Sequence, residues 1–194
     1  MSGTVIDALR YAFSDKDRIL VDANVWLYLF APHPPGSPAV RAYSAVFTGM
    51  QKNRANLYLD VLVLSEFVNR YARLEHQIQK NAGAAVSHDF KTFRDSPDFV
   101  PIAQAIQASV MKIGRYAKAL DHPLTACDLP AVLAGFATGG RDINDELLAH
   151  CCKTHGLVLL TNDADLGHTG VTILTTSPQL LRRRRNGDVQ EKTD

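Results

Sequence analysis

Four acidic residues stand where apolar segments are interrupted: Asp22 after Ile19-Leu20-Val21, Glu66 inside "LVLSEF", Asp145 inside "NDELLAHC", and Asp163 after "LVLLT". Burying a carboxylate costs free energy unless it is paired. If such groups meet, each close pair repels by about 4 kcal/mol at an intermediate effective dielectric. A hard divalent cation, Mg²⁺ or Mn²⁺, relieves that repulsion because it takes oxygen ligands. Bound to carboxylates, such an ion works as a Lewis acid and an activator of water. Each position also has a plain structural use. Asp22 is placed to cap a helix that starts near Asn24. Asp142 is placed to cap a helix from residue 143, with Asp145 three positions later. Asp163 and Asp165 suit a turn before Leu166-Gly167. Glu66 is the hardest to absorb this way. It sits among Val61–Leu64 and Phe67-Val68, where a carboxylate needs a partner or a raised pKa.

The elements that must position these acids alternate between strand and helix. Apolar runs predict strands at 19–21, 56–59, 157–161 and 171–176. Helices are predicted from about 24 to 30, over 39–51, over 61–76 behind an Asp60 cap, over 102–120, over 129–137, and over 143–155 closed by Gly156. The expectation is an α/β fold, a three-layer α/β/α sandwich around a mainly parallel sheet. Residues 1–181 read as a single domain with a helical insertion at about 77–140, and 182–194 as a basic, frayed tail. In such sheets ligands bind beyond the carboxyl ends of the strands, where Asp22 and Asp163 fall.

Composition narrows the classes. With 194 residues, 46% hydrophobic and 21% charged, the chain is an ordinary globular one. A net charge of +1 makes any nucleic-acid surface a local matter. Lys112, Arg115 and Lys118 recur every three residues and form either a ridge for a phosphate backbone or a solvated face. Arg182, Arg183, Arg184 and Arg185 make a denser basic cluster. The odd cysteine count, with Cys151 next to Cys152, argues against a disulfide framework. "HCCKTH" lacks the paired spacing of structural zinc sites and reads as buried helix. No signal-like segment and no run long enough to span a bilayer stand out, which points to the cytosol.

Taken in order, "VDANV" (21–25), "LVLSEF" (62–67), "NDELLAHC" (144–151) and "GLVLLTNDADL" (156–166) resemble the acidic signature of PIN-domain nucleases over about residues 18–176. The pattern is most similar to the toxin half of bacterial VapBC-type toxin–antitoxin pairs. The resemblance implies a PIN-like fold and Mg²⁺- or Mn²⁺-dependent hydrolysis of RNA phosphodiester bonds. Asp22, Glu66, Asp145 and Asp163 match the metal-binding acids, with Asp165 as an alternative to Asp163 and Asp142 as an auxiliary acid. Thr161 matches the hydroxyl residue of the family's T-x-D segment, and Asn24 the polar residue two after the first Asp. The implied partners are RNA, an antitoxin protein and a second copy of the chain, with no membrane. Competing readings are an RNA-processing or DNA-directed PIN nuclease and a non-catalytic RNA- or protein-binding module. A haloacid-dehalogenase-like phosphatase would want Asp at position 24, which is Asn.

Overall fold

A computed structural model of the chain describes residues 3–139 and 142–182. The described elements are β1 (Val5–Asp7), β2 (Arg18–Val21), α1 (Ala23–Phe30), α2 (Pro38–Lys52), β3 (Asn56–Leu59), α3 (Val61–Asn81), α4 (Phe90–Arg94), α5 (Val100–Tyr116), β4 (Ala117–Ala119), α6 (Leu129–Ala137), α7 (Ile143–His155), β5 (Val158–Leu160) and β6 (Ile173–Thr175). Six parallel strands form one sheet in the order β1-β6-β5-β2-β3-β4. Helices cover both of its sides, giving the expected α/β sandwich.

Ile19, Leu20 and Val21 of the central strand are all fully buried. That explains why this segment reads as an unbroken apolar run rather than an alternating one. Helix starts follow local capping grammar. The side chains of Asp22, Ser37, Asp60 and Asp142 accept backbone N–H bonds at the starts of α1, α2, α3 and α7. On α3, Val63, Phe67 and Tyr71 are buried at four-residue spacing, so one face of the helix enters the core.

The segment 77–140 is more than helix. Residues 117–119, predicted to continue the 102–120 helix, are strand β4 and pair with β3 at the edge of the sheet. The tripeptide Ala-Lys-Ala has no strand signature, and its pairing with Leu57–Leu59 decides its conformation. Strand β1 and helix α4 were likewise not predicted, and α3 runs to Asn81 rather than 76. Short edge elements take their state from tertiary partners more than from intrinsic preference.

Gly156 closes α7 in the left-handed region at φ 60°, ψ 48°. Its missing Cβ would meet nothing within 4 Å, so backbone strain is the sole penalty of a side chain there. Gly156→Ala is expected to lower stability by about 1 kcal/mol, read as a shifted urea midpoint with unchanged slope. No shift would refute this account of the helix end.

Candidate metal centre

The strand order reverses between β2 and β5. From β2 the chain steps outward through β3 to β4, then returns to β5 on the other flank and continues to β6. Such a switch point opens a crevice at the carboxyl ends of the two strands. Asp22 follows β2 there and Thr161–Asp163 follow β5, so the topology sets side by side two segments far apart in sequence.

Asp22 is 4% exposed and Thr161 fully buried. The Asp22 Oδ1 accepts from the Ala23 backbone N–H (2.6 Å), and its Oδ2 accepts from the Thr161 hydroxyl (2.6 Å) and from the Asn24 amide. The Asn24 amide also donates to Thr161 Oγ1 (3.1 Å), and Asn24 Oδ1 accepts from the Asn162 backbone N–H (3.0 Å). The Asp163 backbone N–H donates to Thr161 Oγ1 (2.9 Å). Thr161 and Asn24 thereby lock the loop after β5 onto the Asp22 carboxylate. Tyr43, unremarked in the sequence, braces the same loop from α2. Its hydroxyl donates to Thr161 O (2.9 Å) and accepts from the Thr176 backbone N–H (3.2 Å). Nothing in the spacing of α2 marks this tyrosine.

Asp22, Glu66, Asp145 and Asp163 line one small pocket with Leu62, Val63, Asn144 and Leu148. Burial pushes Asp22 up to about 6; the Thr161 hydrogen bond opposes this, and the charges of Glu66 and Asp163 add to it. Asp145, half-buried in the first turn of α7, is pushed up to about 7 by burial first and then by Asp163, Asp142, Asp22 and Glu66. The four acids therefore feel one another's charge. Among the described residues the cation paired with any of them is Arg70, on Glu66 (2.8 Å).

Other expected positions fall differently. Glu66 is not enclosed by apolar side chains: it is 41% exposed and paired one helical turn on with Arg70. Asp142 uses its carboxylate to cap α7, accepting from the Asn144 N–H (2.7 Å). Asp165 is exposed, and its backbone N–H donates to Asp163 Oδ1 (2.9 Å). Lys112 and Arg115 are exposed near the end of α5, which runs directly into β4 at the edge where the strands begin. Lys118 is on β4 rather than on that helix, and donates to Asn56 Oδ1 (3.2 Å) at the start of β3. These three thus lie toward the edge opposite the acids. Arg182 is exposed, while Arg183, Arg184 and Arg185 lie outside the described residues.

A second polar cluster escaped the sequence reading. Asp60, His122 and Cys151 place one potential ligand atom each within 4.8 Å of one another, a set that could hold a metal ion. Asp60 is fully buried and caps α3 through Oδ1, which accepts from the Leu62 N–H (2.7 Å). Its Oδ2 contacts His122 Nδ1 (2.8 Å) and the Cys151 thiol (3.5 Å). Burial, followed by Asp60, pushes the Cys151 thiol up to about 12, so it is a protonated donor rather than a nucleophile. All three cysteines are free, in keeping with the odd count and adjacent pair.

A hard divalent cation fits the first cluster. The donors are carboxylate oxygens, they repel one another, and one of them is fixed by three hydrogen bonds. Fold and site define a parallel α/β protein with a carboxylate centre at its topological switch point. Residues 19–171 match the PIN domain, and the chain belongs to that family. PIN domains are usually metal-dependent nucleases. No curated protein sequence matches the chain. Among solved structures it is similar to one described as "Crystal structure of PAE2754 from Pyrobaculum aerophilum", at 18% identity and a TM-score of 0.46, over 86% of this chain and 96% of that one. No helix among the described residues is long and apolar enough to cross a membrane.

Thr161→Val keeps the shape of the side chain but removes the hydroxyl that joins Asp22, Asn24 and Asp163. If the Asp22 carboxylate holds a cation, losing the group that orients it is expected to weaken metal affinity about 10–100-fold. Titration of manganese followed by thermal shift measures this, and unchanged affinity would refute the bracing role.

Proposed function

We propose that the chain is a Mg²⁺- or Mn²⁺-dependent ribonuclease that hydrolyses phosphodiester bonds. The observation that carries this reading is the meeting of Asp22, Glu66, Asp145 and Asp163 in one pocket at the switch point. When bound, the cation supplies Lewis acidity to the phosphodiester. Asp22, Asp145 and Asp163 would hold it through their carboxylates. Glu66, paired with Arg70, would orient a water at the ion or bind a second ion. Asn24 and Thr161 hold Asp22 in place.

The order of the acidic motifs supports a narrower reading: the toxin component of a type II toxin–antitoxin pair, active in the cytosol. An antitoxin would neutralise it by setting an arginine against the carboxylates. A homodimer is proposed on the same resemblance.

The deciding experiment incubates purified protein with fluorescent single-stranded RNA and DNA in Mg²⁺, Mn²⁺ or EDTA. Cleavage of RNA that needs metal is expected. Preferential cutting of DNA would move the reading to a DNA-directed nuclease, and binding without cutting to a non-catalytic module. Growth arrest on expression, relieved by Asp22→Asn, tests the toxin assignment, and unimpaired growth counts against it.

A further inference from the structure

A second cavity, of about 380 Å³, lies between α1 and α3 beside the acid pocket. From the α1 side it is lined by Asn24, Leu27, Tyr28 and His33, and from α3 by Arg70, Arg73 and Leu74. Its volume is in the range of small-ligand sites. It is coupled to the acids at three points. Asn24 donates to Asp22, Arg70 pairs with Glu66, and the Tyr28 hydroxyl accepts from Asn162 Nδ2 (3.3 Å) in the loop that carries Asp163.

The lining is suited to a nucleotide. Tyr28 stacks on Tyr43 with centroids 5.4 Å apart and planes 4° apart, and His33 continues the stack at 5.5 Å with a 35° tilt. His33 is held by Nε2 against Leu27 O (2.8 Å), so the end of this aromatic ladder is fixed at the groove. Opposite, the Arg73 guanidinium lies over the Phe90 ring at 4.5 Å. Stacking occupies a face of the guanidinium and leaves its N–H edge for an anion. No carboxylate pairs with Arg73 among the described residues. A ring to stack on and an arginine for phosphate are the two parts of a single-strand binding site.

We propose that this groove holds one unstacked nucleotide of single-stranded RNA next to the scissile phosphate, its base against His33 and its phosphate on Arg73. The assignment rests on the ribonuclease reading for its substrate and sharpens it to strands whose bases are free. A duplex keeps its bases stacked inside and cannot offer one to the groove.

The test is binding without chemistry. Fluorescence anisotropy of a labelled short single-stranded RNA in EDTA is compared for wild type, His33→Ala, Arg73→Ala and Lys52→Ala, the last exposed at the end of α2, where β3 begins. His33→Ala and Arg73→Ala are expected to weaken binding about tenfold, and Arg73→Ala to lower the salt slope by about one. Lys52→Ala is expected to bind like wild type, and all variants to keep the wild-type manganese thermal shift, which shows the acid pocket intact. Equal affinity of all four proteins, or equal binding of an RNA duplex, would overturn the groove. Groove-dependent binding by a protein that cuts nothing in manganese would keep the groove and sink the ribonuclease reading. Metal-dependent cutting unaffected by either groove variant would do the reverse.

Discussion

Asp22→Asn is expected to lower metal-dependent RNA cleavage by about a thousandfold, equivalent to about 4 kcal/mol of transition-state stabilisation. Asp22 is the acid most constrained by the fold. It stands at the end of the central strand, accepts from Ala23, Asn24 and Thr161, and faces Glu66 and Asp163. Asparagine keeps the size and a capping oxygen, so α1 still has its start. What it loses is the negative charge and, at the Oδ2 position, the acceptor for the Thr161 hydroxyl and the Asn24 amide. The same variant should lose the stabilisation that manganese confers on wild type, because an ion that no longer binds the native state cannot stabilise it. Cleavage rates and thermal shifts read the two effects separately. Activity above a tenth of wild type would remove Asp22 from the metal set.

The second large effect concerns the metal-free protein. Asp22 has a folded pKa of about 6 against an ordinary 3.8, so the native state holds its proton more tightly than the unfolded chain does. Its contribution is greatest below about pH 4 and is lost as pH rises through about 6. With the shift from 3.8 to about 6, at about 1.4 kcal/mol per unit, the loss is on the order of 3 kcal/mol. Asp145, pushed up to about 7, acts in the same direction over a slightly higher range, weakened by its contact with solvent. Urea denaturation from pH 4.5 to 8 is expected to show this decline in EDTA, and Asp22→Asn should flatten it. Saturating manganese should restore stability at pH 8 and do little at pH 4.5, where protonated acids do not bind it. Identical pH profiles for wild type and Asp22→Asn would mean that Asp22 carries no such burden.

Both predictions depend on acids whose positions were readable along the chain. Apolar runs stop at Asp22 and Asp163 because these residues end strands buried on both faces, and burial on both faces leaves a continuous hydrophobic signal. Capping grammar is just as local, and Asp22, Asp60 and Asp142 all serve as caps. For Asp22 the structural and chemical uses are not alternatives, since one oxygen accepts from Ala23 and the other from Thr161 and Asn24. Glu66 shares its pocket with Leu62 and Val63, yet it reaches solvent and meets the need for a partner through an ion pair on its own helix. Arg70, four residues on, was the available clue.

By itself, then, the sequence determined the strand ends, the helix starts and the order of the acidic motifs, because each of these is encoded within a few residues. Tertiary structure decided which strand lies beside which, and with that the meeting of β2 and β5 that joins Asp22 to Thr161. It also turned Ala117–Ala119 from helix into strand, buried Tyr43 against the loop after β5, and set His33 across from Arg73. Those outcomes depend on contacts between segments remote in the chain, whose energies no local pattern of residues records.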